Sequence, residues 1–376
     1  MRKKWLCVLL CGWLGTFSVA GALECSVSAQ ACALIDAESG RVLYQVQGDT
    51  ALPMASTTKI MTALVALEQG DVEDMVTIDA QSAGVEGSSL YLMEGEHLTL
   101  EQLLYGLMLE SGNDAAVAIA AHVGGSVENF VGMMNDRAAQ LGLSQTHFEN
   151  PNGLPADGHQ TTAVELARLA GEALRLDDFA TIVSTHQMQI PYRDQPGQFR
   201  YLTNSNRLLQ SYPGCIGVKT GYTKAAGRCL VSAAERDGIR LVCVTLNAPD
   251  DWQDHTALLD AGFAEVERRT FVKQENFCES VPVVGGEGQQ VSVVPASDLT
   301  AVGLPEQLDT AEVEVQLPEF LYAPIQKGQQ VGCVVLTTSD GVQQQVALVA
   351  QEGIESLPPA GLWQRFWSRL AQWWPI

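Results

Sequence analysis

Residues Met54–Gly70 read "MASTTKIMTALVALEQG", a serine and a lysine three positions apart at the mouth of an apolar run with helical spacing. Ser56 at a helix start lies where backbone N–H groups and the positive end of the helix dipole can steady charge beside its oxygen. Lys59 shares its face one turn on, and burial in a cleft would lower its pKa toward the neutral amine able to take the serine proton. Alone, the pair reads equally as a polar helix start followed by a solvated lysine. Outward from it, "ACALIDAESGRVLYQVQ" (31–47) reads as two strands around Glu38-Ser39-Gly40. Downstream, "LTLEQLLYGLML" (98–109) and "DAAVAIAAHVGG" (114–125) carry helical periodicity, and Ser111-Gly112-Asn113 breaks them apart. "TTAVELARLAGEAL" (161–174) is a further amphipathic helix, with Thr161 or Thr162 as N-cap. The texture then turns to β in "CIGVKTG" (215–221), "RCLVSAAE" (228–235) and "IRLVCVTLN" (239–247), the last two joined by a tight turn at Asp237-Gly238. These segments predict an α+β domain over about 28–270, its sheet drawn from both ends of the sequence and "TALLDAGFAEVERRT" as a closing helix ending near Thr270.

From about 275 to 355 short strands such as "QQVSVVP", "AEVEVQL" and "QQVALVAQ" recur between turn residues, the pattern of a small all-β sandwich. Residues 360–376 include "LWQRFWSRLAQWWPI"; on a helix, Trp363, Phe366, Trp367, Leu370 and Trp374 form one face, with Arg365, Arg369 and Gln372 opposite. Such a basic-aromatic helix lies in a membrane interface or docks on its own domain. At the other terminus, Arg2, Lys3 and Lys4 precede an apolar run to Ala20 and an Ala20-Gly21-Ala22 cleavage site, so residues 1–22 read as a secretory signal peptide and the protein as exported. Ala29-Gln30-Ala31 offers another cut. Formal charge is −22, and loss of residues 1–22, which hold those three bases and no acid, makes it −25. A surface so acidic repels nucleic acid. Seven of the nine cysteines lie outside the signal, scattered and without zinc-type spacing, so few or no disulfides are expected; no metal or organic cofactor is suggested.

Lys219-Thr220-Gly221 ends an apolar strand, where an ammonium and a hydroxyl can hold a carboxylate and the glycine lets substrate backbone approach. Each tripeptide alone is an ordinary loop or turn. Taken in order, S-x-x-K, S-G-N and K-T-G, with intervals of about 55 and about 105 residues, form a strong combined signal. At these residues the chain resembles the penicillin-recognising serine acyl-transferases, specifically the low-molecular-mass D-alanyl-D-alanine carboxypeptidases. "GSSLYL" (87–92), "ESGNDAAVAIA" (110–120), "NPNGLPADGHQTTAVELARLA" (150–170) and "GVKTGYTKAAGRCLVSAAERDG" (217–238) share the likeness, which covers about residues 28–268.

The resemblance implies removal of the terminal D-alanine from peptidoglycan stem pentapeptides by acyl transfer, with β-lactams as covalent inhibitors. Ser56 would be the nucleophile and Lys59 its base, the backbone N–H groups of Ser56 and Tyr222 the oxyanion hole. Ser111 and Asn113 would relay protons and hold the substrate amide, and Lys219 and Thr220 would face the terminal carboxylate. His159 either supports deacylation or orders its loop. Some carboxypeptidases of this family place an arginine shortly before the last helix to grip that carboxylate. Here the stretch reads "NAPDDWQDHTALL", with Asp250 and Asp251 and no arginine, which leaves Thr220 and Lys219 with Trp252 or His255 as candidates. A D,D-endopeptidase shares the bond chemistry. A β-lactamase would want a deacylating glutamate, and no E-x-x-x-N element follows the second motif. A membrane-held scaffold would have to carry three intact motifs as vestiges.

Overall fold

Ala31–Asp36 shows almost no polar alternation because both of its faces are covered. Ala31, Ala33 and Ile35 belong to the large apolar cluster shared with the helices, whereas Cys32 and Leu34 pack in a second cluster with Leu258 and Leu259. The computed structural model describes residues 25–192 and 197–358, so the predicted signal segment and the 360–376 helix lie outside the described residues. Five strands form the central sheet in the order Val42–Val46, Ala31–Asp36, Ile239–Leu246, Gly227–Arg236 and Cys215–Thr223, every neighbouring pair antiparallel. The two ends of the sequence therefore meet in one sheet. The tight turn at Asp237-Gly238 has both residues at positive φ, 51° and 76°, the geometry a two-residue hairpin favours.

One face of the sheet carries the helical layer. Lys59–Gln69 runs through its middle, buried at every position from Lys59 to Ala66. Leu100–Leu109 starts at a capping box in which Thr99 and Gln102 satisfy each other's backbone, and Thr162 caps Ala163–Ala173 by accepting from Glu165 N–H. The other face holds Asp251–Glu265. This helix corrects the sequence expectation, for it stops at Glu265 and not near Thr270, and Glu267–Val272 is a strand paired with Leu299–Gly303. Half-buried and exposed positions alternate from Glu267 to Thr270, as in a strand with one wet face, and pairing partners 27 to 36 residues ahead are invisible to local periodicity.

Beyond it, a six-stranded sheet, Glu312–Gln316, Gln330–Thr337, Gln343–Ala350, Gln290–Pro295, Glu279–Val284 and Leu321–Tyr322 in that order, makes a β-domain with two small apolar cores. The α+β class with a trailing β-sandwich is thus observed. Arg41, on the turn between the first two strands, reaches into this domain: its guanidinium donates to Val302 O at 2.7 Å and Thr338 Oγ1 at 2.7 Å and lies 3.0 Å from the Asp340 carboxylate. All seven cysteines of the described residues are free thiols. Among the described residues no helix is long and apolar enough to cross a membrane.

Candidate active site

Ser56 sits in a single 3-10 turn, Ala55–Thr58, that runs into the Lys59–Gln69 helix. Its neighbour Ala55 takes φ 48°, a left-handed conformation that costs a residue with a Cβ and needs support from outside. The support is a loop of the "NPNG" stretch. Asn150 Oδ1 accepts from Gly153 N–H at 2.7 Å, and Thr62 Oγ1 donates to Pro151 O at 2.6 Å, pinning the loop to the nucleophile helix. Gly153, at φ 88°, comes so near the turn that a Cβ there would lie 2.0 Å from Ala55 O. Gly153→Ala is therefore expected to displace Ser56 and slow acylation by about ten- to a hundred-fold, with little change in the melting of the β-domain. Stopped-flow acylation by a chromogenic cephalosporin measures it, and an unaltered rate would show the turn to be independent of the loop.

Lys59 Nζ is fully buried and has three oxygen neighbours: Asn152 O at 2.6 Å, Asn113 Oδ1 at 2.7 Å and Ser56 Oγ at 3.1 Å. A neutral amine has two N–H bonds and one lone pair. The two short contacts take the N–H bonds, and the longer one leaves the lone pair facing the serine O–H, the arrangement a general base needs. Burial pushes the lysine pKa well below its usual value; the nearby Lys219 charge lowers it further and Asp114 opposes. Asn113 is held in turn by donating Nδ2–H to Glu86 O at 2.6 Å. The sequence reading missed Asp114, although it directly follows Asn113. Fully buried, its carboxylate accepts from Ser89 Oγ at 2.7 Å and from the N–H groups of Leu90 and Leu92, which fastens the "GSSLYL" stretch beside the cleft.

Ser111 occupies the break between two helices at φ 63°, and its buried Oγ has no hydrogen-bond partner among the described residues. Lys219 is buried too; its Nζ donates to Thr220 O at 3.1 Å, and burial takes its pKa to about 7 against the raising effect of Glu110. Gly221 proves necessary for a reason beyond substrate approach: a Cβ there would stand 3.1 Å from Ser56 N and 3.2 Å from Ala55 Cβ, so its absence lets the strand lie against the nucleophile turn. That strand is at the edge of the sheet, with one side free to pair an extended peptide. A cleft of about 660 Å³ opens here, lined by Ser56, Ser88, Ser111, Thr220, Gly221 and Tyr222 and also by Arg207, Arg228, Asp251 and Trp252. All three motifs meet at this one place.

The chain belongs to the D-alanyl-D-alanine carboxypeptidase family. The family profile matches residues 18–250, and that of the C-terminal domain of penicillin-binding protein 5 matches residues 267–356. The chain is 34% identical over 343 residues to D-alanyl-D-alanine carboxypeptidase DacF of Bacillus subtilis, covering 88% of this chain and 87% of that one. It is also 34% identical over 360 residues to DacC of Escherichia coli, covering 91% and 87%. Among solved structures, penicillin-binding protein 5 of Haemophilus influenzae superposes with a TM-score of 0.71 at 28% identity, covering 89% of this chain and all of that one.

Two sequence-based candidates take other places. His255 is not near the carboxylate position: it is fully buried between Ser232 Oγ at 2.5 Å and Thr245 Oγ1 at 3.0 Å, and burial drops its pKa to about 3. His159 lines a separate cavity behind the nucleophile turn with Pro53, Met54 and Gly153. Its Nδ1 accepts from Glu149 N–H at 3.0 Å, so the proton is on Nε2, which contacts Thr58 Oγ1 at 2.7 Å; that hydroxyl donates to Ala55 O at 2.8 Å. Burial, with His147 as a lesser cause, brings its pKa down to about 4 and keeps the ring neutral. Among the described residues no cluster of three or more His, Cys, Asp or Glu side chains is arranged to hold a metal.

Proposed function

We propose that the chain is a serine carboxypeptidase that removes the terminal D-alanine from peptidoglycan stem pentapeptides through an ester on Ser56. The observation that carries this reading is the convergence of Ser56, Lys59, Asn113 and the Lys219-Thr220-Gly221 strand on one cleft, with Lys59 Nζ 3.1 Å from Ser56 Oγ. Ser56 Oγ attacks the carbonyl between the two D-alanines while Lys59 takes its proton. The tetrahedral oxyanion is met by the backbone N–H groups of Ser56 and Tyr222. Collapse breaks the C–N bond, and Ser111 passes its proton to the departing amine while regaining one from the Lys59 ammonium, so that the proton taken from Ser56 leaves on D-alanine. Asn113 holds the substrate amide and Lys59, water cleaves the ester, and β-lactams enter the same first step but leave slowly. His159 acts at one remove by fixing Thr58 and Ala55, a positioning role.

Export and cleavage after Ala22 accord with the tethering of the first described residues. Ser28 Oγ donates to Asp254 at 2.8 Å, and Tyr44 donates to Cys25 O at 2.6 Å, contacts that a cut after Ala31 would discard. The 360–376 segment would then hold the enzyme at the outer membrane face. The test of the reaction is release of D-alanine from a diacyl-lysyl-D-alanyl-D-alanine peptide together with a long-lived penicillin adduct. An adduct without release, joined to cleavage of crosslinked dimers, would make the protein an endopeptidase; rapid penicillin turnover would make it a β-lactamase.

A further inference from the structure

A peptide ending in a free carboxylate needs a cation in the Ser56 cleft, yet the start of the last helix supplies Asp251 there, preceded by Asp250. The cation is found by following the pairing of the strand that carries Lys219-Thr220-Gly221. Successive side chains alternate between the faces of a strand, and directly paired residues share a face. Thr220 pairs with Leu230, Gly221 with Cys229 and Tyr222 with Arg228. Cys229 and Val231 belong to the cluster on the nucleophile side, as does the space in front of Gly221, whereas Leu230 packs with Leu258 and Leu259 of the last helix. Thr220, Tyr222 and Arg228 therefore project from the same face of the ribbon. Thr220 and Arg228 both line the cleft with Ser56.

Arg228 is also fixed. Its Nη2 donates to Asp251 Oδ1 at 2.7 Å, and that oxygen, in a carboxylate only 5% exposed, accepts from Trp252 N–H at 2.9 Å. A guanidinium has five N–H donors in a rigid fork, and the remaining donors of Arg228 have no partner among the described residues. Trp252, in the same lining, has a buried Nε1–H with no acceptor among the described residues. Arg207 is the other guanidinium of the cleft, and the two lie 5.9 and 6.0 Å from the centre of the Trp252 ring. Both side chains are exposed, but Arg207 is outside any ion pair among the described residues, so gripping a ligand would cost it side-chain freedom that Arg228, held by Asp251, has already given up.

We propose that Arg228, anchored by Asp251 and paired across the ribbon from Tyr222, binds the substrate's terminal carboxylate together with Thr220 and so makes the enzyme select C-terminal acids. The acid pair that displaces an arginine from the last helix thereby supports one on the neighbouring strand. Asp251 is a positioning residue in this arrangement. The inference rests on the carboxypeptidase reading.

The test compares kcat/KM for diacyl-lysyl-D-alanyl-D-alanine with that for its C-terminal amide. Alongside it, acylation rates are taken for a penicillin and for its methyl ester, in the wild type, Arg228→Gln, Arg228→Lys, Arg207→Gln and Asp251→Asn. A charge-assisted contact is expected to give the wild type an acid preference of about ten- to a hundred-fold. Arg228→Gln should lower the acid substrates alone and bring the preference to within about threefold of unity, with the amide and ester rates held, since those ligands lack the charge. Arg228→Lys should recover part of the preference, as a point charge replaces a fork, and Asp251→Asn should raise KM for the acid more than it lowers kcat. A wild-type preference retained in Arg228→Gln overturns the proposal, and so does its collapse in Arg207→Gln. If the wild type releases no D-alanine, the carboxypeptidase reading fails separately, and the penicillin acid-to-ester ratio still decides the role of Arg228.

Discussion

Ser56→Ala is expected to lower D-alanine release by about four to six orders of magnitude and to abolish the penicillin adduct, while the thermal transition stays within a few degrees of the parent. The size follows from what is removed. Among the described residues Lys59 Nζ hydrogen-bonds no other hydroxyl; its remaining partners are the side-chain oxygen of Asn113 and the backbone oxygen of Asn152, which cannot act as nucleophiles. What survives is binding of the peptide along the edge strand and polarisation of its carbonyl, which accelerate attack by water but do not build an ester. Stability changes little because Ser56 Oγ makes one long contact at 3.1 Å and Lys59 keeps its two shorter ones. Intact-mass measurement after incubation with a penicillin separates the outcomes: a persistent adduct in Ser56→Ala would move the nucleophile elsewhere, Ser111 being the next hydroxyl on the cleft wall.

The elements that place this chemistry were readable in the sequence where period and punctuation coincide. The Asp237-Gly238 hairpin, the Thr162 cap and the Ser111-Gly112-Asn113 break are local events, set by turn chemistry and capping. The joining of Ala31–Asp36 to Ile239–Leu246 could be anticipated because both strands are apolar on both faces, which requires a central position in a covered sheet. The strand at Glu267–Val272 escaped because its partner, Leu299–Gly303, lies beyond the reach of any local pattern. The site shows the same division. Motif residues were legible as types, but Asn152 contributes a backbone oxygen, which no side-chain pattern reveals. Arg228 stood in view inside "KTGYTKAAGRC", and counting the hairpin register from Thr223 and Gly227 would have set it opposite Tyr222. His255, three positions from Trp252 on a helix, faces the sheet and not the cleft.

The second large effect concerns Lys59. Lys59→Met is expected to slow acylation by about two to four orders of magnitude, the usual range for a positioned base. In the wild type kcat/KM is expected to rise with pH along a limb as the Lys59 ammonium gives up its proton. The sign of a further change is fixed by the causes of that low pKa. Burial comes first and the Lys219 charge second. Lys219→Gln removes the second, so the Lys59 ammonium becomes less unfavourable, its pKa rises, and the limb moves to higher pH. Lys219 is itself brought to about 7 by burial, so its repulsion acts below that pH and fades above it; the two lysines titrate as a coupled pair. The displacement should consequently be plain in the acid range, where both lysines compete for charge, and vanish on the alkaline plateau. Acylation by a penicillin from pH 5 to 9 measures it without the deacylation step. A limb that Lys219→Gln leaves in place, or that survives Lys59→Met, would assign the proton acceptor to another group, because Lys59 alone has its nitrogen both against Ser56 Oγ and under the field of Lys219.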